Sequence, residues 1–235
     1  MAVVTISGQI GCGARELGRL AAERLGIDYV DQEILVEAAR ALGVPVESVV
    51  SRDERTASLG ERLATMLRRF LERSAVAGAA DPMMGSGGLD VLLARTYGEA
   101  ADEGLQEVSD KRYLDTLCGI IRDVAAHDDV LIIGRGSQAI LKDRPGALHV
   151  LLVAPLEHRI EYIIQRDGVT KDEAAKRVHD GDKGRVAFHH KFFKLDADDP
   201  SHYHLTLNTG RLTQEEVAQL LRDASQRVAM HERRT

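Results

Sequence analysis

Val3-Val4-Thr5-Ile6 is an apolar run that passes directly into Ser7-Gly8-Gln9-Ile10-Gly11-Cys12-Gly13, and helical spacing begins at about Ala14. A buried strand, a glycine-rich turn and a helix in immediate succession make a βα unit, the building block of layered α/β folds. Gly8 and Gly13 stand at the G-x-x-x-x-G spacing of a nucleotide P-loop, in the strand–loop–helix context that the motif needs. Successive N–H groups at the start of such a helix form an anion nest, and glycine lets phosphate oxygens approach the main chain. Where the full motif has Lys and then Ser or Thr, this chain has Ala14 and Arg15. Arg15 brings a positive charge one residue late, on a bulkier planar group, and the usual Mg²⁺-binding hydroxyl is missing. A tight βα turn without a ligand is the plain alternative.

The rest of the chain repeats the alternation. Leu17, Leu20, Ala21 and Leu25 recur at helical spacing up to Gly26, and Ile27-Asp28-Tyr29-Val30 reads as a second strand. Asp31 is suited to cap a helix carrying Ile34, Leu35, Ala38 and Leu42. Residues 51–107 change texture: a stripe from Leu59 to Leu71, then a Gly-, Ala- and Met-rich stretch over Gly78–Gly88, predict a helical insertion with a loop inside it. Alternation resumes with a helix from Tyr113 to Val124. Val130-Leu131-Ile132-Ile133 and His149 to Val153 are continuous apolar runs, as in strands buried on both faces. Pro155 opens a helix, Thr170 and Glu173 make a capping box, and a strand over Tyr203–Leu207 precedes the closing helix. The expectation is a doubly wound parallel sheet of about five strands, P-loop NTPase-type, with residues 1–50 and 108–235 as core.

Two further constellations could carry chemistry. Gly134-Arg135-Gly136 follows a buried strand at the edge where open α/β sheets bind ligands, and Arg135 can pair bidentately with phosphate. Its bland alternative is a surface salt bridge. The segment 159–194 is rich in Arg and Lys and contains Asp182-x-x-Arg185, whose spacing puts both side chains on one helix face. A carboxylate there can orient an arginine toward a transferring phosphoryl group, although a solvated face looks the same. His189, His190, His202 and His204 lack the companion ligands of a metal site, so no metal ligands are assigned. Cys12 is a loop thiol at a helix start, or simply a small residue.

These residues, in order, resemble the cytidylate-kinase-like proteins, relatives of the nucleoside monophosphate kinases. The resemblance is carried by Thr5-Ile6-Ser7 with the glycine loop and Arg15-Glu16-Leu17, and by Tyr29 to Leu35. It continues through Ile132 to Gly136, Val153 to Arg159, Asp182-Lys183-x-Arg185, and Tyr203-His204-Leu205-x-Leu207-Asn208-Thr209. It implies ATP-dependent phosphoryl transfer to a nucleoside monophosphate, CMP or dCMP first, with Mg²⁺ as the usual companion. By resemblance the loop from Gly8 through Gln9, Ile10, Gly11, Cys12, Gly13 and Ala14 to Arg15 holds the ATP phosphates. Asp31, Arg135, Arg159 and Arg166 serve the acceptor, and residues 159–194 form a lid. Arg15, Arg135, Asp182 and Arg185 then serve the chemistry, and residues 51–107 hold the monophosphate.

Ala14 departs from the family kinases' lysine, Ile133 and Gly136 from acidic residues around the Gly-Arg, and His204 from an Asp. A glycine loop followed by Arg recurs in the like-family, so Ala14 marks a different charge arrangement. A nucleotide sensor or scaffold without turnover, and a kinase of another small metabolite, are the alternatives.

Charge and cysteine content narrow the partners. With 31 Lys and Arg against 37 Asp and Glu, net charge −6, nothing calls for a nucleic-acid-binding surface. Two cysteines make no disulfide framework, and no apolar run reaches the roughly 20 residues of a membrane span. The N-terminus lacks a signal-peptide pattern. Nucleotides as partners, a cytoplasmic location and self-association through the insertion are the expectations.

Overall fold

The computed structural model describes residues 2–31, 114–115, 117–126 and 129–232. The chain divides into two compact units, Met1–Asp31 with His127–Thr235, and Gln32–Ala126. The expected insertion over 51–107 and the helix expected after Asp31 lie outside the described residues. Of the second unit, residues 117–125 are helical (α2), with Leu117, Ile120, Ile121 and Ala125 buried.

The first unit is built on a sheet of β1 (Val3–Gly8), β2 (Asp28–Val30), β3 (Val130–Ile133), β4 (Ala147–Val153) and β5 (Leu205–Asn208). The strand order is β2-β3-β1-β4-β5 and every pairing is parallel, so the expected fold class holds. β1 is central: Val3 pairs with Val130 on one side and with Ala147 on the other. Val130 to Ile133 are all buried, which is why they read as an unbroken apolar run rather than an alternating one.

The helices of this unit are α1 (Ala14–Leu25), α3 (Ser137–Ile140), α4 (Leu156–Asp167), α5 (Lys171–Phe193) and α6 (Gln214–Glu232). Leu17, Ala21 and Ala22 of α1 and Val217, Ala218 and Leu221 of α6 share one core cluster with Val4, Leu148 and Leu152 of the sheet. Gly26 ends α1 in the left-handed region (φ 68°), returning its N–H to the carbonyls of Ala22 and Glu23. Thr170 caps α5 as expected, its Oγ1 accepting from the Glu173 N–H at 3.4 Å. Helices α4 and α5 pack through Ile163, Ala174 and Val178, and Ile10 of the glycine loop joins that small cluster.

Because all strands run parallel, the segments following β1, β2, β3 and β4 emerge at one sheet edge. Those segments are the glycine loop, Asp31, Gly134-Arg135-Gly136 and Ala154-Pro155.

Candidate active site

The glycine loop is shaped by two left-handed glycines. Gly11 has φ 85° and Gly13 has φ 77°, a region that side chains other than glycine enter at a cost. Gly13 is also the N-cap of α1 and offers no side-chain oxygen to the helix, so the first turn keeps N–H groups open on the loop side. Within the loop, Gln9 N–H donates to the Leu152 carbonyl (3.1 Å), Ile10 N–H to Asp182 Oδ1 (2.9 Å) and Cys12 N–H to the Gln9 carbonyl (3.1 Å). Ala14 N–H faces the Cys12 sulfur. The N–H groups of Gly11 and Gly13 have no protein acceptor among the described residues.

Cys12 is buried, and burial pushes its thiol up to about 12 despite Arg185 and Arg159 nearby. It packs against Gly8, where an added Cβ would stand 2.7 Å from its sulfur. The Cys12 side chain is therefore a filler of the loop rather than a nucleophile.

The cations beside the loop come from α4 and α5. Arg159, 8% exposed, donates from Nε to the Ala154 carbonyl (3.1 Å) and from Nη1 to the Ile10 carbonyl (3.1 Å) and Asp182 Oδ2 (2.5 Å). Arg185 donates from Nη1 to Ser7 Oγ (3.4 Å) and to the Ala197 carbonyl (3.3 Å), and its Nη2 pairs with Asp198. Asp182 and Arg185 thus share a face of α5 turned to the junction of β1 and the loop, one at Ile10 and the other at Ser7. They pair with other groups rather than with each other. Arg15 acts electrostatically on the Tyr29 phenol together with Arg19, whereas the thiol inside the loop feels Arg159 and Arg185.

Arg135 stands in a run of three left-handed residues, Gly134 (φ 72°), Arg135 (φ 56°) and Gly136 (φ 67°). Holding a non-glycine residue there costs ~1–2 kcal/mol, and such strain gathers at functional sites. The run is anchored by Gly134 N–H on the Ile6 carbonyl (2.8 Å), one strand from the glycine loop, and Gly136 then caps α3. Gly136 has the Phe193 ring of α5 packed where a Cβ would go.

Asp31 is buried at the end of β2 and accepts a long hydrogen bond (3.5 Å) from the Tyr29 hydroxyl. Burial, with the Asp31 carboxylate second, pushes that phenol up to about 12. Arg166 is a surface residue. It grips Asp167 with Nε (2.6 Å) and Nη2 (3.0 Å) and lies over the Tyr162 ring at 5.7 Å. Asp167 is held below the usual carboxylate range by Arg166 first and Arg177 second. Tyr162 in turn borders Gly13, and burial followed by Glu16 raises its phenol.

Several contacts around the site join residues that no motif spacing links. Gln9 Oε1 accepts the Ala154 N–H (3.3 Å), Tyr203 donates to the Ala197 carbonyl (2.8 Å), and Gln138 Nε2 donates to the Tyr203 oxygen (3.2 Å). Tyr203 enters the sequence reading as a strand start and as part of the family resemblance, but nothing in composition or spacing points to its link with Arg185 through the Ala197 carbonyl.

A parallel sheet of order 2-3-1-4-5 with a glycine loop of P-loop spacing after its central strand is the architecture of a P-loop-type α/β protein. The model of the cytidylate kinase-like family matches residues 3–211, and the chain belongs to that family. The cytidylate kinase of Methanopyrus kandleri is 28% identical over 111 residues, covering 44% of this chain and 58% of that one. The cytidylate kinase of Methanosarcina barkeri is 24% identical over 102 residues, 43% of this chain and 57% of that one. A uronate isomerase of Corynebacterium glutamicum is 28% identical over 102 residues, 43% of this chain and 20% of that one. The aligned stretches thus span well under two thirds of these relatives' own lengths. A solved, uncharacterized protein from Eubacterium ventriosum shares the fold, with TM-score 0.63 and 13% identity over 96% of this chain and 99% of that one.

Proposed function

We propose that this chain transfers a phosphoryl group from ATP to a nucleoside monophosphate, CMP or dCMP first among them. The observation that carries the reading is the glycine loop. Gly11 and Gly13, at the start of an uncapped helix, have N–H groups without a protein acceptor among the described residues, which suits a phosphate chain. ATP fits this donor set and would supply the phosphoryl group.

Mg²⁺ fits less well. The loop has Ala14 and Arg15 where a metal-binding hydroxyl belongs, and the Ser7 hydroxyl beside it is taken by Arg185. No group of three potential metal-binding side chains occurs among the described residues. No step is therefore assigned to the metal.

The chain's own residues divide the remaining work by position. Arg185, on α5 beside the end of β1, offers positive charge beside the phosphates, and Arg135 with Asp31 borders the acceptor side at the ends of β3 and β2. Arg15, in the first turn of α1, acts electrostatically on Tyr29 of β2 and adds positive charge near the loop. Phosphoryl transfer needs positioning and charge neutralisation more than covalent help, and these groups provide both. Helices α4 and α5 serve as the wall that excludes water. Arg166 acts on this wall from outside, through Tyr162.

The test is ADP release in a coupled assay over a panel of monophosphates and other small acceptors. Turnover with CMP or dCMP above all others is expected; no turnover with any acceptor in folded protein refutes the kinase reading. The absent loop lysine and hydroxyl favour one second reading, a nucleotide-binding sensor, which would bind ATP without Mg²⁺ dependence and turn nothing over. The two free cysteines, Cys12 and Cys118, suit a reducing cytoplasm, and no helix among the described residues is long and apolar enough to cross a membrane.

A further inference from the structure

Both main-chain polar groups of Ile10 are taken by side chains far away in sequence. Its N–H donates to Asp182 Oδ1 at 2.9 Å, and its carbonyl accepts from Arg159 Nη1 at 3.1 Å. The two side chains close the ring through their own contact of 2.5 Å, and Arg159 Nε is fixed on the Ala154 carbonyl. The packing around this ring is tight on both sides. A Cβ on Gly181, the residue before Asp182, would stand 2.7 Å from Ile10 Cγ1. A Cβ on Gly11, the residue after Ile10, would stand 2.5 Å from the Arg159 carbonyl oxygen.

We propose that Asp182 and Arg159 are positioning residues for the glycine loop: their ion pair holds Ile10 so that the neighbouring Gly11 and Gly13 N–H groups point at a nucleotide phosphate. The inference rests on reading the loop as a phosphate cradle. An unpaired carboxylate at a loop amide would repel a phosphate or compete with it. Arg159 cancels that charge and keeps the carboxylate on Ile10, so the pair contributes geometry rather than field. In the opposite role Asp182 would be a resident anion that phosphate must displace. The closed ring and the absence of room for a methyl group at either glycine favour a fixed joint over a release latch.

The experiment measures ATP affinity by calorimetry on the full chain, for the wild type and for Asp182→Asn, Asp182→Ala and Arg159→Lys. The ¹⁵N–¹H resonance of Ile10 is followed in parallel. Asn keeps an acceptor for the Ile10 N–H but loses the charge, so it should rescue part of what Ala loses. The expected result is at least tenfold weaker ATP binding for Asp182→Ala and a smaller loss for Asp182→Asn. The Ile10 amide should move upfield in both, and the Gly11 and Gly13 amides should shift with it. Tighter ATP binding in either Asp182 variant would overturn the proposal in favour of the latch. Unchanged affinity in a variant whose Ile10 resonance has moved would overturn it too. Should Asp182→Ala not fold, Asp182→Asn and Arg159→Lys carry the same comparison. A wild type that binds no ATP refutes the cradle reading itself, whereas a wild type that binds while all variants match it refutes only the positioning role.

Discussion

His149 makes the fold sensitive to acid. It lies in β4 beside Thr5 of the central strand, 4% exposed, with its Nδ1 at 2.8 Å from Thr5 Oγ1. Its main-chain N–H donates to His204 Nδ1 at 2.9 Å, and the two rings stand 5.2 Å apart. Burial first, and the His204 ring second, bring its pKa down from 6.5 to about 4. The folded state therefore holds the neutral imidazole and the unfolded chain binds the proton more readily. Stability from this residue is complete above about pH 6.5, falls as pH drops below that value, and is lost by about pH 4. At ~1.36 kcal/mol for each pH unit, the whole effect is on the order of 3 kcal/mol. Urea unfolding between pH 7.5 and 4, compared with His149→Gln, isolates it: the wild type should lose about 3 kcal/mol more than the variant. The His149 Cε1–H resonance should stay in its neutral position down to about pH 5. Parallel pH dependence in the two proteins, or a His149 resonance titrating near its ordinary 6.5, would refute the reasoning.

Gly11→Ala should destabilise the protein by ~1–2 kcal/mol from its left-handed φ, and by more in total because its methyl also meets the Arg159 carbonyl. A lowered melting temperature together with weakened ATP binding checks this. Gly136→Ala should cost a similar ~1–2 kcal/mol of backbone strain, and the Phe193 ring must move as well. Pairing it with Phe193→Leu should recover the steric part but not the strain, read by urea unfolding. Cys12, with its thiol raised to about 12, should resist Ellman's reagent at pH 8 in a Cys118→Ser background and react at once in guanidinium. A rapid native reaction would show that the loop opens.

The middle of the sheet was legible because β1, β3 and β4 are buried on both faces, leaving runs such as Val130 to Ile133 and Leu151 to Val153 with little polar interruption. The glycines of the loop were legible for a similar reason: each answers a local backbone demand. The partners of Arg159, Asp182 and Arg185 were not. Helical spacing shows that Asp182 and Arg185 share a face, but Ile10 lies 172 residues from Asp182 and Ser7 lies 178 residues from Arg185. Only the packing of α4 and α5 beside the loop brings these together. The left-handed turn at Arg135 was hidden because two flanking glycines permit many conformations. The pairing of Thr5 with His149 needed the β1–β4 register, which no periodicity supplies.

The central position of β1 also sets a timetable. Val3 finds its neighbours at Val130 and Ala147, so β1 is synthesised well before the two strands that enclose it. At ~5–20 residues per second, the 127 residues from Val4 to Val130 take roughly 6–25 s to synthesise. Through that interval Val3, Val4 and Ile6, all buried in the native sheet, are without their strand partners. The glycine loop that follows them is held by α4 and α5, which arrive later still. The glycine loop thus takes its final shape late in the life of the nascent chain, and the unpaired β1 strand is where a chaperone or a neighbouring chain can take hold in the meantime.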